Sequence, residues 1–317
     1  DILVSMLPGE WHVSLAKLCL EKGANFVSSS YISPEMLELS KRFETANLAC
    51  VNEVGLDPGI DHSMAHYLVS DLKKCELDSD ISIDFISYCG GVPKFPNPFR
   101  YKFSWSPAGV LKALKSPSKS IKNGAEWNVQ RPWEAISSYV APLPLPEEFE
   151  VYPNRDSLPF ITEYNFDPDW RINQFVRGTL RLQGWAEAWS DVFKEIESLS
   201  FPEGDARLQE MSNNFWKENA YEAAEPDRVV LCVSLKAEKN NKTLYHKTFV
   251  LDAWGTNEST AMARLVSIPV AKAVEIIKTG EIKPGVSSVP DSSKLVGQWI
   301  EMVGSLSQHL EIIDHLK

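Results

Sequence analysis

The apolar positions of this chain follow two rhythms, and the change comes near residue 75. ILVSML (2–7) is a continuous apolar run closed by Pro8 and Gly9, the form of a parallel strand buried on both faces. From about Glu10 to Lys22 the spacing is helical, with Val13, Ala16, Cys19 and Leu20 on one face and Gly23 as the stop. ANFVSSS (24–30) predicts a second strand. Ser33 as N-cap and Pro34 in the first turn open another helix, in which Met36, Leu39 and Phe43 recur at helical spacing. LACVNEV (48–54) predicts a third strand that runs into GLDPGIDH (55–62), and Ile60, Met64, Leu68 and Leu72 then mark a helix to about Lys74. Strand, helix, strand, helix, strand with short connections predicts a parallel sheet with right-handed crossovers.

Past residue 80 the segments ISIDFISYC (81–89), AEWNVQ (125–130), QFVRGTLRLQG (174–184), RVVLCVSLKAE (228–238) and LYHKTFVLDAW (244–254) read as longer strands of antiparallel character. KNNKT (239–243) between the last two is a hairpin signal. Proline-rich loops, VPKFPNPF (92–99) and APLPLPEEF (141–149), separate the earlier strands, and 186 to about 224 reads as helical. Residues 259–277 also read as a helix, with a kink expected at Pro269 and Gly280 as its stop. The last forty residues give no decided pattern. The expected fold class is α/β: three parallel strands make one half of a doubly wound sheet, a truncated Rossmann-type parallel sheet, followed by a mixed-sheet α+β region.

Composition narrows the partners. With 317 residues, 44% hydrophobic and 24% charged, the chain can bury a sizeable core and is expected to divide into lobes. A formal charge of -11 without clustered Lys and Arg argues against nucleic acid, so an anionic ligand must be met by a few local arginines. The five cysteines are scattered with no CxxC pair, which points to a reducing compartment and to neither a disulfide framework nor a zinc site. No apolar run approaches a bilayer span, so no membrane partner is expected. None of the 16 glycines forms G-x-G-x-x-G, the loop that would hold a dinucleotide pyrophosphate.

Asp57 directly follows the third strand, and ligands of open α/β sheets sit beyond the carboxyl ends of the strands. A local reading competes, with Asp57 as N-cap and Pro58 as first helical residue. Ser29, Ser30 and Tyr31 close the preceding strand and emerge on the same rim, or else merely cap and staple the next helix. SYCGGVP (87–93) ends a strand with Cys89 and two glycines, either bringing backbone close to a ligand or forming a strand-ending turn around a buried thiol. Arg100, Lys102, Arg155, Arg177 and Arg181 lie among apolar or small residues, as suits carboxylate binding or structural ion pairs. His62 and His66 share a helical face, but HSMAH lacks the Glu of H-E-x-x-H; they read as packing or supporting residues, with no metal expected.

Taken in order, SSYISP, NEVGLDPGIDH, SYCGGVP, NPFRYKFSWSPAGVL, YPNRDS and VRGTLRLQGW resemble the saccharopine dehydrogenase family of the NADP-dependent, glutamate-forming type. The likeness continues through STAMARLVSIPVAKAVEIIKTGEI (259–282). The resemblance implies that 1–60 is the second half of a Rossmann domain, with 256–290 packing back on it. It makes 61–185 and 226–255 a substrate-binding and dimerisation domain, and 186–225 a short helical insertion. It implies an oxidoreductase of lysine biosynthesis or degradation that interconverts saccharopine with glutamate and 2-aminoadipate 6-semialdehyde. NADP is the implied cofactor, with NAD as the alternative, and the implied assembly is a homodimer. The implied location is cytoplasmic, or mitochondrial within a larger bifunctional polypeptide.

By matched motif, Ser30, Tyr31, Lys102, Arg155, Gly178, Thr179, Leu180 and Arg181 are expected to touch substrate. Leu56, Asp57, Pro58, Gly59, Ile60 and Ser104 are expected along the nicotinamide end of the cofactor. Asp57, Tyr31 and Cys89 are the expected proton donors or relays, Asp57 first. Family members begin earlier, with the glycine-rich loop and the residue that reads the ribose 2′-phosphate, and the insertion is longer in fungal and animal members. Two alternatives stand beside this reading: an imine reductase acting on a polyamine precursor of the carboxynorspermidine type, against which Arg155 argues, and a non-catalytic dimerisation module.

Overall fold

The computed structural model describes residues 1–75, 77, 80–200, 202 and 204–317. Its strands are β1 (Ile2–Ser5), β2 (Asn25–Ser28), β3 (Ala49–Val51), β4 (Ser82–Pro93), β5 (Ser118–Lys122), β6 (Ala125–Val129), β7 (Ser137–Ala141), β8 (Glu147–Pro153), β9 (Arg171–Leu182), β10 (Asp227–Lys239), β11 (Lys242–Trp254), β12 (Gly285–Ser287) and β13 (His309–Asp314). The chain forms two compact units, Asp1–Tyr67 with Ala263–Leu306, and Leu68–Met262 with Ser307–Lys317.

The first unit carries a four-stranded sheet in the order β1-β2-β3-β12, parallel throughout. Helix His12–Lys22 links β1 to β2, and Ala16 and Cys19 from it join Phe26, Met36, Phe43 and Cys50 in one buried cluster. Ser33 caps the next turn by accepting from the Met36 amide at 3.2 Å, as its sequence position predicts. The single helix predicted there is instead two, Pro34–Leu37 and Ser40–Thr45, separated by a turn at Glu38 and Leu39. The strand ILVSML is shorter than predicted and is not buried on both faces. As an end strand of this sheet it has one neighbour, and Val4, Met6 and Leu7 are about half exposed.

The helix expected from Ile60 starts there, so the local reading with Asp57 as N-cap and Pro58 as first helical residue does not hold. Gly59 has φ 144°, outside the helical region, and a Cβ there would stand 2.3 Å from the Gly55 carbonyl oxygen, so the chain needs glycine at this point. The 55–59 segment closes as a tight loop: the Gly55 amide donates to the Pro58 carbonyl at 2.9 Å and the Gly55 carbonyl accepts the Ile60 amide at 3.0 Å. Asp57 therefore lies three residues ahead of the first helical residue rather than at the N-cap position.

The second unit carries a nine-stranded sheet with the path β13-β11-β10-β4-β9-β5-β6, to which β8 adds beside β9 and β7 beside β8. It is mixed, because β4 and β9 run parallel while their other pairings are antiparallel. Asn240 and Asn241, both at positive φ, turn β10 back into β11, the hairpin expected from KNNKT. The strand expected to end at Cys89 continues to Pro93, since β10 pairs with it along its whole length. β8 occupies the end of the predicted proline-rich loop, and the helix Pro107–Lys115 begins on Ser106, whose hydroxyl accepts the Gly109 amide.

The stretch predicted as helical over 186–224 contains the helices Trp185–Ala188, Ser190–Ser198 and Asp205–Glu218; residues 201 and 203 lie outside those described. Their apolar faces join Tyr101, Phe103, Val110 and Leu111 in one aromatic core built on Trp185 and Trp189. The segment from 259 is a single helix, Ala261–Lys278, with Pro269 inside it, and Asp227 at the start of β10 caps its first amides at 2.7 and 2.8 Å. The undecided last forty residues form β12, the helix Ser293–Leu306 and β13. No helix among the described residues is long and apolar enough to cross a membrane.

A Cβ on Gly90 would stand 2.3 Å from the Leu180 carbonyl oxygen of β9. Gly90→Ala should therefore force β4 and β9 apart, with a loss of about 3 kcal/mol and a fall in melting temperature of roughly 5–10 °C. An unchanged midpoint in a thermal melt would show that the two strands separate without penalty.

Candidate active site

In the first unit the carboxyl ends of β2 and β3 bring two predicted residues together. The Tyr31 hydroxyl donates to Asp57 Oδ1 at 3.0 Å, and both side chains are half-buried, open enough to meet a ligand. Ser30 lies beside them, half-buried, with its carbonyl accepting the Glu53 amide at 3.1 Å. Leu56, Pro58, Gly59 and Ile60 are buried in the loop that presents Asp57. Beyond β1 the same rim carries the exposed Met6 and Leu7.

Behind this rim lies a cluster of ionisable groups, of which the sequence reading singled out only His62, as a packing or supporting residue. Glu53, Asp61 and His62 are all buried. His62 Nδ1 is 3.4 Å from Asp61 Oδ2, and its Nε2 is 3.2 Å from Glu53 Oε2, near enough for an ion pair though not aligned as a hydrogen bond. The remaining oxygens are committed to backbone: Asp61 Oδ1 accepts the Gly59 amide at 2.7 Å and Glu53 Oε1 accepts the Ile32 amide at 2.8 Å. The available signal was three ionisable residues flanking GLDPG within an otherwise apolar strand–loop–helix. His66, one turn further on, is buried and pushed down to about 4, first by burial and then by the neighbouring His62; Asp291 and Asp61 oppose the shift.

In the second unit Arg181 is the predicted residue that the fold treats most unusually. It is 5% exposed, and its guanidinium lies 4.8 Å from the Tyr101 ring, 5.4 Å from Trp185 and 5.6 Å from Tyr152. Among the described residues no carboxylate pairs with it; its Nη1 donates to the Leu180 carbonyl at 3.2 Å, and its guanidinium interacts with the Tyr152 hydroxyl. Its Nε, the Tyr101 hydroxyl and the Trp185 indole N–H are buried without acceptors. Burial pushes the Tyr152 phenol up, against the pull of Arg181. The composition of the cage, three aromatics around one arginine, was not legible from spacing.

The other predicted residues of this unit are more dispersed. Gly178, Thr179 and Leu180 lie on β9 opposite Pro153, Tyr152 and Val151 of β8. Arg155 is exposed just after β8, in a left-handed backbone conformation with φ 56°. Lys102 is engaged by Glu225 at 2.5 Å, and Ser104 is half-buried in the same segment. Cys89 is buried in mid-sheet, opposite Leu231 on β10 and Thr179 on β9. Arg177 is buried with its guanidinium 4.0 Å from the Phe160 ring, while Arg100 is exposed.

Comparison with known proteins places these features. Residues 55–305 match the model of the saccharopine dehydrogenase C-terminal domain. The mitochondrial alpha-aminoadipic semialdehyde synthase of Mus musculus is 27% identical over an alignment that covers 96% of this chain and 39% of that protein. The chain thus spans about two fifths of the length of the mammalian relatives it matches. Saccharopine dehydrogenase [NADP(+), L-glutamate-forming] of Schizosaccharomyces pombe is 28% identical, covering 99% of this chain and 84% of that one. The solved apo structure of the L-Glu-forming saccharopine dehydrogenase from Saccharomyces cerevisiae superposes with a TM-score of 0.79 at 26% identity, over 99% of this chain and 85% of that chain.

The shift at His66 makes stability depend on pH. The unfolded chain takes up a proton near pH 6.5 and the folded chain only near 4, so stability falls as pH drops through that window. The effect is on the order of 3 kcal/mol. His66→Gln should flatten the dependence of melting temperature on pH between 6.5 and 4; a curve parallel to that of the unaltered chain would remove His66 as its source.

Proposed function

Because the chain belongs to the saccharopine dehydrogenase family, we propose that it is the substrate-handling portion of an NADP-dependent oxidoreductase that interconverts saccharopine with glutamate and 2-aminoadipate 6-semialdehyde. The observation that carries the reading is Arg181, a buried guanidinium with no carboxylate partner among the described residues. Saccharopine brings three carboxylates and a secondary amine. One carboxylate placed against Arg181 supplies acceptors for Nε and for the stranded Tyr101 and Trp185 donors, inside a cage that keeps water from screening the pair. Arg155, exposed at its left-handed corner, is assigned a second carboxylate. Lys102, already paired with Glu225, is a weaker choice.

The rim of the first unit fits the nicotinamide end of the cofactor. Its loop brings Gly55 and Gly59 together too closely for side chains, and the exposed Met6 and Leu7 offer an apolar surface beyond β1. When bound, NADP accepts hydride from saccharopine or NADPH returns it. The chain's own part is to handle protons. Asp57, as a carboxylate accepting from Tyr31, is placed to take the proton of the substrate amine, and Tyr31 to orient that carboxylate and relay the proton onward. Cys89 is a poorer base because its thiol is buried within the sheet. In the oxidative direction water then adds to the carbon–nitrogen double bond of the product, and the adduct separates into amine and aldehyde.

Steady-state kinetics on the full-length protein, with saccharopine and NADP, test both assignments. Arg181→Leu should raise the saccharopine KM by about tenfold to a hundredfold, the worth of a charged hydrogen-bonded contact. Asp57→Asn should lower kcat by about a hundredfold with little change in KM. An unaltered KM in the first variant would remove Arg181 from the site, and an unaltered kcat in the second would remove Asp57 as the base.

A further inference from the structure

Both sides of the Tyr31–Asp57 hydrogen bond lead back to one buried imidazole. On one side Ile32, the residue after Tyr31, donates its amide to Glu53 Oε1, and Glu53 Oε2 faces His62 Nε2 at 3.2 Å. On the other side Gly59, which closes the loop that presents Asp57, donates its amide to Asp61 Oδ1, and Asp61 Oδ2 faces His62 Nδ1 at 3.4 Å. The links form a closed circuit: Tyr31, Asp57, the 58–59 backbone, Asp61, His62, Glu53, Ile32 and back to Tyr31. We infer that His62 is a positioning residue that fixes the separation and orientation of Tyr31 and Asp57 by holding the two carboxylates to which their backbones are tied.

Three features carry this. Each ring nitrogen of His62 faces a carboxylate oxygen, so the imidazole bridges Glu53 and Asp61. The bridge lies in a buried site, where a carboxylate left without its partner is costly. Glu53 also holds a left-handed backbone, φ 55°, although it is neither glycine nor asparagine. Strain of that kind persists only where surrounding contacts over-determine it. Here they are the Ile32 amide, the Ser30 carbonyl and His62. The other titratable groups near the ring are His66, kept neutral near pH 7 by its lowered value of about 4, and Asp291, which acts on His66.

The inference rests on reading Tyr31 and Asp57 as the proton-handling pair, so its test has one arm that does not need turnover. In the full-length protein, Glu53→Gln preserves volume and an acceptor for the Ile32 amide, and His62→Gln preserves a donor while removing the bridging ring. Hydrogen exchange should show the amides of Ile32 and Gly59 losing protection together in both variants. In kinetics with saccharopine and NADP, kcat should fall about tenfold to a hundredfold while KM stays within about twofold. Loss of protection at only one of the two amides, or a lowered melting temperature with kcat intact, would overturn the inference. No turnover by the unaltered protein would instead sink the proposed reaction, while the exchange result would still judge the brace.

Discussion

A charge taken out of water must be compensated, and the two units meet that constraint in opposite ways. In the first, the ionisable groups of Glu53, Asp61 and His62 close on one another and on two backbone amides. In the second, Arg181 is held among Tyr101, Tyr152 and Trp185 with no anion among the described residues. A closed set of charges determines geometry and adds little net stability, because desolvation offsets much of the attraction. An open one leaves attraction in reserve. That contrast separates framework from the proposed binding site more sharply than burial does, since all four groups are buried.

The framework exists because strand geometry places backbone where side chains cannot go. β4 and β9 approach so closely at Gly90 that no Cβ fits, which keeps the Gly178 to Arg181 segment of β9 beside the centre of the sheet. β8 on the other side of β9 places Tyr152 opposite Thr179, and the helix starting at Trp185 follows directly after β9 ends. The aromatic cage is thus assembled from one strand pair, the turn that follows it and the 101–103 segment. Its shape follows from register, so a slip of one residue would turn Arg181 to the other face.

Much of this was legible in the sequence where local rules and tertiary structure agree. The alternation of strand and helix over the first 75 residues, the Ser33 cap and the Asn-Asn hairpin each rest on contacts within a few residues. Misses came where distant partners decide. β4 continues past Cys89 because β10 lies alongside it, and β8 forms inside a proline-rich stretch because β7 and β9 pair with it on either side. The helix after Ser106-Pro107 carried an ordinary start signal that the surrounding prolines obscured. At the site, Arg181 was legible as one cation among five. What sets it apart from Lys102, which has Glu225, is a partner 123 residues away in sequence.

The loop GLDPG shows how a correct local rule can point to the wrong role. Asp before Pro at the end of a strand is a sound helix start, and had Asp57 capped the helix its oxygens would have been engaged by backbone amides and of little use as a base. Glycine at 59 moves the start to Ile60, and Asp61 takes up the Gly59 amide instead. Asp57 is thereby released to accept from Tyr31 on the rim, with one oxygen bonded to a phenol that can itself give up a proton. A carboxylate outside the helix cap, hydrogen-bonded to Tyr31 and set on a loop held rigid from behind, meets the requirements of a general base. The chemistry proposed for this chain therefore depends on Gly59 as much as on the aspartate it displaces from the cap.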